Sequence, residues 1–202
     1  VYAAYLNNGL SVFSIKDGAL QEDKTDFFSL RNFKLTAIAI GNDETLYVGT
    51  NEGRFFYSNI SKDPFHFKEI VFNQPINEIK RIAVDGGSIW LGTSAGLYFY
   101  DISENNVSAV SIEKFSPNST EKLTIHDIWK KEKQYFVGTD NGLFVLSEWN
   151  KKHKSFNECV IYVGDKNNTN SITSNRVYAL LLDKDLLWIG TNKLDAVSLV
   201  EP

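Results

Sequence analysis

Residues 175–191 read Asn-Arg-Val-Tyr-Ala-Leu-Leu-Leu-Asp-Lys-Asp-Leu-Leu-Trp-Ile-Gly-Thr. An apolar run and an acidic turn are followed by a second apolar run that closes on Gly-Thr. That second half recurs. It is Leu-Tyr-Val-Gly-Thr at 46–50, Ile-Trp-Leu-Gly-Thr at 89–93 and Tyr-Phe-Val-Gly-Thr at 135–139. Thr50, Thr93, Thr139 and Thr191 lie 43, 46 and 52 residues apart. In the first three copies a glycine follows the threonine at the same offset: Gly53, Gly96 and Gly142. A worn fifth copy occupies 6–13, where Leu-Asn-Asn-Gly precedes Leu-Ser-Val-Phe, and Gly9 stands 44 residues before Gly53. Self-similarity at this period marks a repeat architecture.

Each repeat reads as four short strands. In the second, 35–40 is followed by a turn at 41–43, the Gly-Thr strand, a tight turn at 51–53, a strand at 54–58 and a last strand at 67–72. The third and fourth follow suit, with turns at 85–87, 94–96 and 140–142. Asn and Gly supply the positive φ angles that such hairpins need. The opening strands are apolar on both sides, as in 177–182, which reads as burial on both faces. The last strands are mixed, as in Phe67-Lys68-Glu69-Ile70. These features predict an all-β chain of four-stranded antiparallel β-propeller blades, stacked face to face with the outermost strand in water. Trp90 and Trp188 are expected in the cores between blades. The motif glycines are expected to allow close packing, and the threonines to hydrogen-bond in the turn that follows.

The blades divide as a partial blade over 1–30, full blades over 31–74, 75–115 and 116–163, and a partial blade over 164–202. The first lacks its innermost strand and the last its outermost. Joining the two does not complete one blade, so the chain is expected to be part of a larger propeller. Its free edges would be open to pairing with another copy.

Composition narrows the function. Net charge is −4, with 25 acidic against 21 basic residues, so there is no basic footprint for direct nucleic-acid contact. No apolar run has the length of a membrane helix. The single cysteine, Cys159, reads as a small buried hydrophobe. His66, His126 and His153 fall in different repeats without metal-ligand spacing. His126-Asp127 are strand neighbours and would point to opposite faces, a poor dyad. The acids cluster in turns rather than as an evident facing pair for glycoside hydrolysis. No catalytic residue, metal site or cofactor is expected.

The stretch from Asp165 through 170–178, with Asp183-Lys184-Asp185 and Leu187-Trp188-Ile189-Gly190-Thr191, resembles the two-component regulator propeller repeat. Departures are Leu194 where a turn glycine is usual, the missing glycine between Asp185 and the Trp strand, and Phe136 in place of the motif Trp. The resemblance implies the periplasmic sensor region of a Bacteroidetes hybrid two-component protein, with a membrane helix and a histidine kinase elsewhere in the parent chain. It further implies a homodimer, and a small-molecule or oligosaccharide ligand from carbohydrate breakdown that controls transcription. The rival readings are a propeller glycosidase or lyase and a protein-interaction scaffold.

Loops between second and third strands share a face with the links between blades. Candidate ligand residues on that face are Arg31, Asn32, Asn73, Gln74, Asn118, Asp165, Lys166, Asn168 and Asn170, whose side chains suit sugar hydroxyls.

Overall fold

The computed structural model describes residues 2–5, 9–23, 30–63, 66–116, 122–192 and 197–200. They form five antiparallel sheets in chain order. The first holds β1 (Tyr2–Tyr5), β2 (Gly9–Lys16) and β3 (Ala19–Asp23); the second holds β4 (Leu35–Ile40), β5 (Thr45–Thr50), β6 (Phe55–Asn59) and β7 (Lys68–Ile70). The third holds β8 (Ile79–Asp85), β9 (Ser88–Thr93), β10 (Gly96–Asp101) and β11 (Asn106–Val110). The fourth holds β12 (Ile125–Lys131), β13 (Gln134–Thr139), β14 (Gly142–Asn150) and β15 (Ser155–Tyr162). The fifth holds β16 (Val177–Asp183), β17 (Leu186–Thr191) and β18 (Val197–Val200). Every sheet is an up-and-down meander, and the first strands β4, β8, β12 and β16 lie beside one another in succession. This is the β-propeller arrangement, with the first and last sheets three-stranded.

Four apolar clusters fill the junctions between successive sheets. The largest centres on Trp90, whose ring meets Phe99, Tyr135, Trp149 and Phe156 at centroid distances of 5.0, 4.8, 4.6 and 5.5 Å. Aromatic pairs at such spacings add to the burial of their area.

Burial is deepest in the middle strands of a blade, not in the first. All six residues of β5 and of β10 are buried, whereas β4, β8 and β12 mix buried with partly exposed positions. The second strand is hydrogen-bonded on both edges and covered on both faces. The first is an edge strand. In the fifth sheet the departure is largest: Leu181 is 55% and Trp188 38% exposed. The expectation that 177–182 is buried on both sides, and that Trp188 fills a core, is corrected here, because no described sheet packs over that face.

The close packing expected at the Gly-Thr motif has specific partners in the next sheet. A Cβ on Gly49 would lie 2.6 Å from Ile79 Cγ2, and one on Gly92 would lie 2.8 Å from Ile125 Cγ2. Gly49, Gly92 and Gly138 thus each receive a β-branched side chain, Ile79, Ile125 or Val177, from the next sheet's opening strand. A bulge follows the first paired residue of each of these opening strands, Leu35, Ile79, Ile125 and Val177, leaving Thr36, Lys80, His126 and Tyr178 unpaired in their ladders. The threonines behave as expected. Thr93 Oγ1 donates to the Gly96 carbonyl and accepts from Ala95 N–H, and Thr139 does the same with Gly142 and Asn141. Thr191 instead meets Thr173 Oγ1 at 3.1 Å.

On the end of the sheets carrying the first-to-second turns, ion pairs cross the junctions. Lys130 spans to Asp85 and Lys131 to Asp185, while Lys151 reaches Asp101 and Lys154 reaches Glu104 between neighbouring third-to-fourth turns.

Candidate functional site

The opposite end carries the second-to-third turns together with the links between sheets, as anticipated. Gly53, at φ 78°, sits so close to the link that a Cβ would fall 2.0 Å from the Ile76 carbonyl. Gly142 N–H donates to the Asn175 carbonyl at 2.6 Å. A cavity of about 650 Å³ opens over the link from the fourth to the fifth sheet, 163–176.

The floor of this cavity is built by local chemistry. Ile172 is 2% exposed, anchors the link in the core between the sheets and bridges to Gly164. Asn175 Oδ1 accepts from Gly164 N–H at 2.7 Å, and Ser171 Oγ both accepts from Asp165 N–H and donates to its carbonyl, each at 2.9 Å. Asp165 Oδ1 caps Asn167 N–H, and Asn168 Oδ1 caps Asn170 N–H. Ser174 Oγ donates to Asn192 Oδ1 at 2.6 Å, tying the link to the turn after β17. A link bound to itself this often presents its remaining polar groups with little ordering cost left to incur.

The wall nearest the fourth sheet is Asp140 and Asn141. Asp140 Oδ1 lies 2.8 Å from His126 Nε2, and the His126 ring rests edge-on against Tyr178 at 4.6 Å. Burial alone would push the Asp140 carboxyl up. Its bonds from His126 and Thr124, with the fields of His126 and Arg176, more than offset this and hold it below the ordinary range. His126 therefore partners Asp140 rather than its neighbour. Asp127 turns into the junctions instead: it pairs with Arg81 of the third sheet at 2.8 Å and accepts from Leu180 N–H of the fifth at 2.8 Å. Burial raises the Asp127 carboxyl against the opposing pull of Arg81.

Of the residues read as ligand candidates, Asp165, Lys166 and Asn168 line the cavity together. Asn170 stands in the same link, with its N–H spent on Asn168. Asn73 and Gln74 lie at another junction, where their amides reach Asn106 Oδ1 at 3.0 Å and the Val107 carbonyl at 3.5 Å. Arg31 and Asn32 are exposed in the turn leading to β4, beside Gly9. Asn118 lies outside the described residues. Asp140, Asn141, Ser174, Arg176 and Asn192 line the cavity and were not singled out from sequence. The signal was available, since 140–141 and 192 follow second strands and so belong to the same end as the link. Cys159 is half-buried, and burial pushes its thiol up to about 11. No cluster of three potential metal ligands occurs among the described residues.

Residues 171–193, which form part of this cavity and the two strands beneath it, match the two component regulator propeller family model. Over those residues the chain resembles a two-component regulator propeller repeat. With that repeat goes a likeness of fold along the rest of the chain. It superposes on two structures of the extracellular domain of BT4673 from B. thetaiotaomicron, described in one case as a candidate hybrid two component system and in the other as a one component system. Identities are 23% and 22%, TM-scores 0.72 and 0.73, and 98% of this chain is covered. It also superposes on PorZ, a surface component of the type-IX secretion system of Porphyromonas gingivalis, at 16% identity and a TM-score of 0.66 over 98% of this chain. The chain spans 25% of the BT4673 structures and 30% of PorZ. At these identities the likeness establishes the fold. No curated protein matches the sequence. Among the described residues no helix is long and apolar enough to cross a membrane.

Proposed function

We propose that this chain is a ligand-sensing segment from the periplasmic region of a hybrid two-component sensor histidine kinase. It responds to carbohydrate breakdown products and thereby regulates transcription. The observation that carries this reading is the regulator propeller repeat at 171–193. The superposition on extracellular domains ascribed to signalling systems supports it. The segment itself binds and does not catalyse; phosphoryl transfer belongs to the kinase of the longer protein. Ligand binding shifts a homodimer between two signalling states in proportion to its differing affinity for them.

The cavity over the 163–176 link is the place in this segment for such a ligand. Its volume lies within the range of ordinary small-molecule sites. Its wall is rich in amides and hydroxyls that can exchange hydrogen bonds with water for hydrogen bonds with a sugar.

The test has two steps. Titration calorimetry of the chain against a panel of oligosaccharides should find binders that Asn141→Ala and Asn168→Ala weaken. The same two substitutions, placed in the intact sensor, should then blunt a transcriptional reporter driven by that glycan. A reporter that responds unchanged while binding by the segment is lost would overturn the assignment of this cavity as the sensing site.

A further inference from the structure

The charges around the cavity are not equally engaged. Asp140 is taken by His126 and Thr124, and Asp165 accepts its own turn's Asn167 N–H. Arg176 and Lys166 line the same cavity, and neither makes an ion pair or a side-chain hydrogen bond among the described residues. Seven other cations, Lys80, Lys130, Lys131, Lys151, Lys154, Arg54 and Arg81, sit on carboxylates. In a chain of net charge −4, one polar cavity thus gathers two cations that no carboxylate meets directly, Arg176 acting on Asp140 only through its field.

We infer that the cavity takes an anionic saccharide, with its carboxylate or sulfate held between Arg176 and Lys166 and its hydroxyls by Asn141, Asn168 and Ser174. The inference rests on the proposed sensing role and narrows its ligand class. The planar guanidinium of Arg176 can grip two oxygens of a carboxylate or sulfate at once, while Lys166 supplies a point charge on a flexible stem. Asp140 is turned towards His126, and so does not neutralise Arg176 by direct contact. The Asp165 carboxylate, held to its own turn, confines a second negative group to the Arg176–Lys166 side. A neutral glycan would gain no charge-assisted bond from either cation.

The decisive measurement is calorimetry on the intact 202-residue chain at low salt. Three saccharide probes are used: an oligogalacturonate trimer, the same trimer with every carboxylate methyl-esterified, and a sulfated disaccharide. Sodium sulfate alone is the fourth. At least one anionic saccharide should bind, and whichever does identifies carboxylate or sulfate as the group read. The esterified trimer should bind at least about tenfold more weakly than its acid, on the scale of one charge-assisted hydrogen bond. Arg176→Gln and Lys166→Gln should each erase that preference, with thermal unfolding unchanged because both side chains lie on the surface. Equal binding of acid and ester would overturn the anionic inference and leave a neutral-glycan sensor. Sodium sulfate binding as well as any saccharide would overturn it in favour of a simple anion site. No binding by any saccharide, charged or neutral, would overturn the inference together with the carbohydrate reading beneath it.

Discussion

Val177 sits directly on Gly138: a Cβ added to the glycine would lie 2.9 Å from both Val177 Cγ1 and the Val177 carbonyl oxygen. The carbonyl is backbone and cannot rotate away, so the two sheets would have to part. Gly190, the corresponding glycine of the fifth sheet, meets only its own sheet, with Ala179 Cβ at 3.3 Å. Gly138→Ala is therefore expected to cost about 1–3 kcal/mol in denaturant unfolding, the range for overpacking a filled site. Gly190→Ala should stay within about 0.5 kcal/mol. The reverse order would remove the account of the Gly-Thr motif as a socket for the next blade.

The two motif tryptophans should separate in the same way. Trp90 is 1% exposed within a ring of four aromatics, and Trp90→Ala should cost about 3–5 kcal/mol. Trp188 is 38% exposed, and its replacement by alanine should cost far less, near the surface value of about 0.5 kcal/mol. Equal losses from the two variants would mean that Trp188 is covered in solution.

The Asp127 carboxylate holds three sheets together through Arg81, its own strand and Leu180 N–H. Asp127→Ala leaves Arg81 without its counter-charge and the Ile128 and Leu180 N–H groups without their acceptor, at an expected cost of about 2–3 kcal/mol. Adding Arg81→Ala should recover part of that loss in a double-mutant cycle. Strict additivity would show that the contact contributes nothing.

Acid sensitivity should trace to Asp101. Burial works against its ionised form, but Lys151, the Ser103 hydroxyl and Glu104 N–H outweigh burial and hold the carboxyl well below the usual range. A carboxyl depressed in the folded state contributes stability that is present above the unfolded value of about 3.9 and is lost as pH falls towards the folded value. Asp101→Asn should flatten the acid limb of a stability–pH profile below about pH 4. An unchanged slope would count against this pair.

Asn175 governs the shape of the cavity floor, since its side chain accepts from Gly164 N–H and its carbonyl from Gly142 N–H. Asn175→Ala keeps the second bond and loses the first, about 1 kcal/mol of local order. Hydrogen exchange should accelerate at 164–172 while β13 and β17 stay protected. Uniform acceleration across all sheets would show the link to be part of the core instead.

What could be read from sequence was whatever depends on near neighbours along the chain. The Gly-Thr period, the hairpin turns and the threonine hydrogen bonds within them are local, so residues 46–53, 89–96 and 135–142 declared them outright. The sheet order follows, because short turns leave a meander as the available path. Burial of the fifth repeat was misread for a complementary reason. An apolar run such as 177–182 states that a face can be buried, and only the arrangement of sheets decides whether anything covers it. Trp90 and Trp188 occupy the same place in the motif and differ only in that.

The cavity belonged to tertiary structure still more fully. Asp165, Lys166 and Asn168 could be named from one polar link. Their companions Asp140, Arg176 and Asn192 come from a turn, a strand approach and a second turn, which the blade stack brings to one rim. The partnership of His126 with Asp140, and of Asp127 with Arg81, was likewise a matter of which sheets meet: strand neighbours face apart, and the blade stack sets one at the rim and one in the seam between sheets.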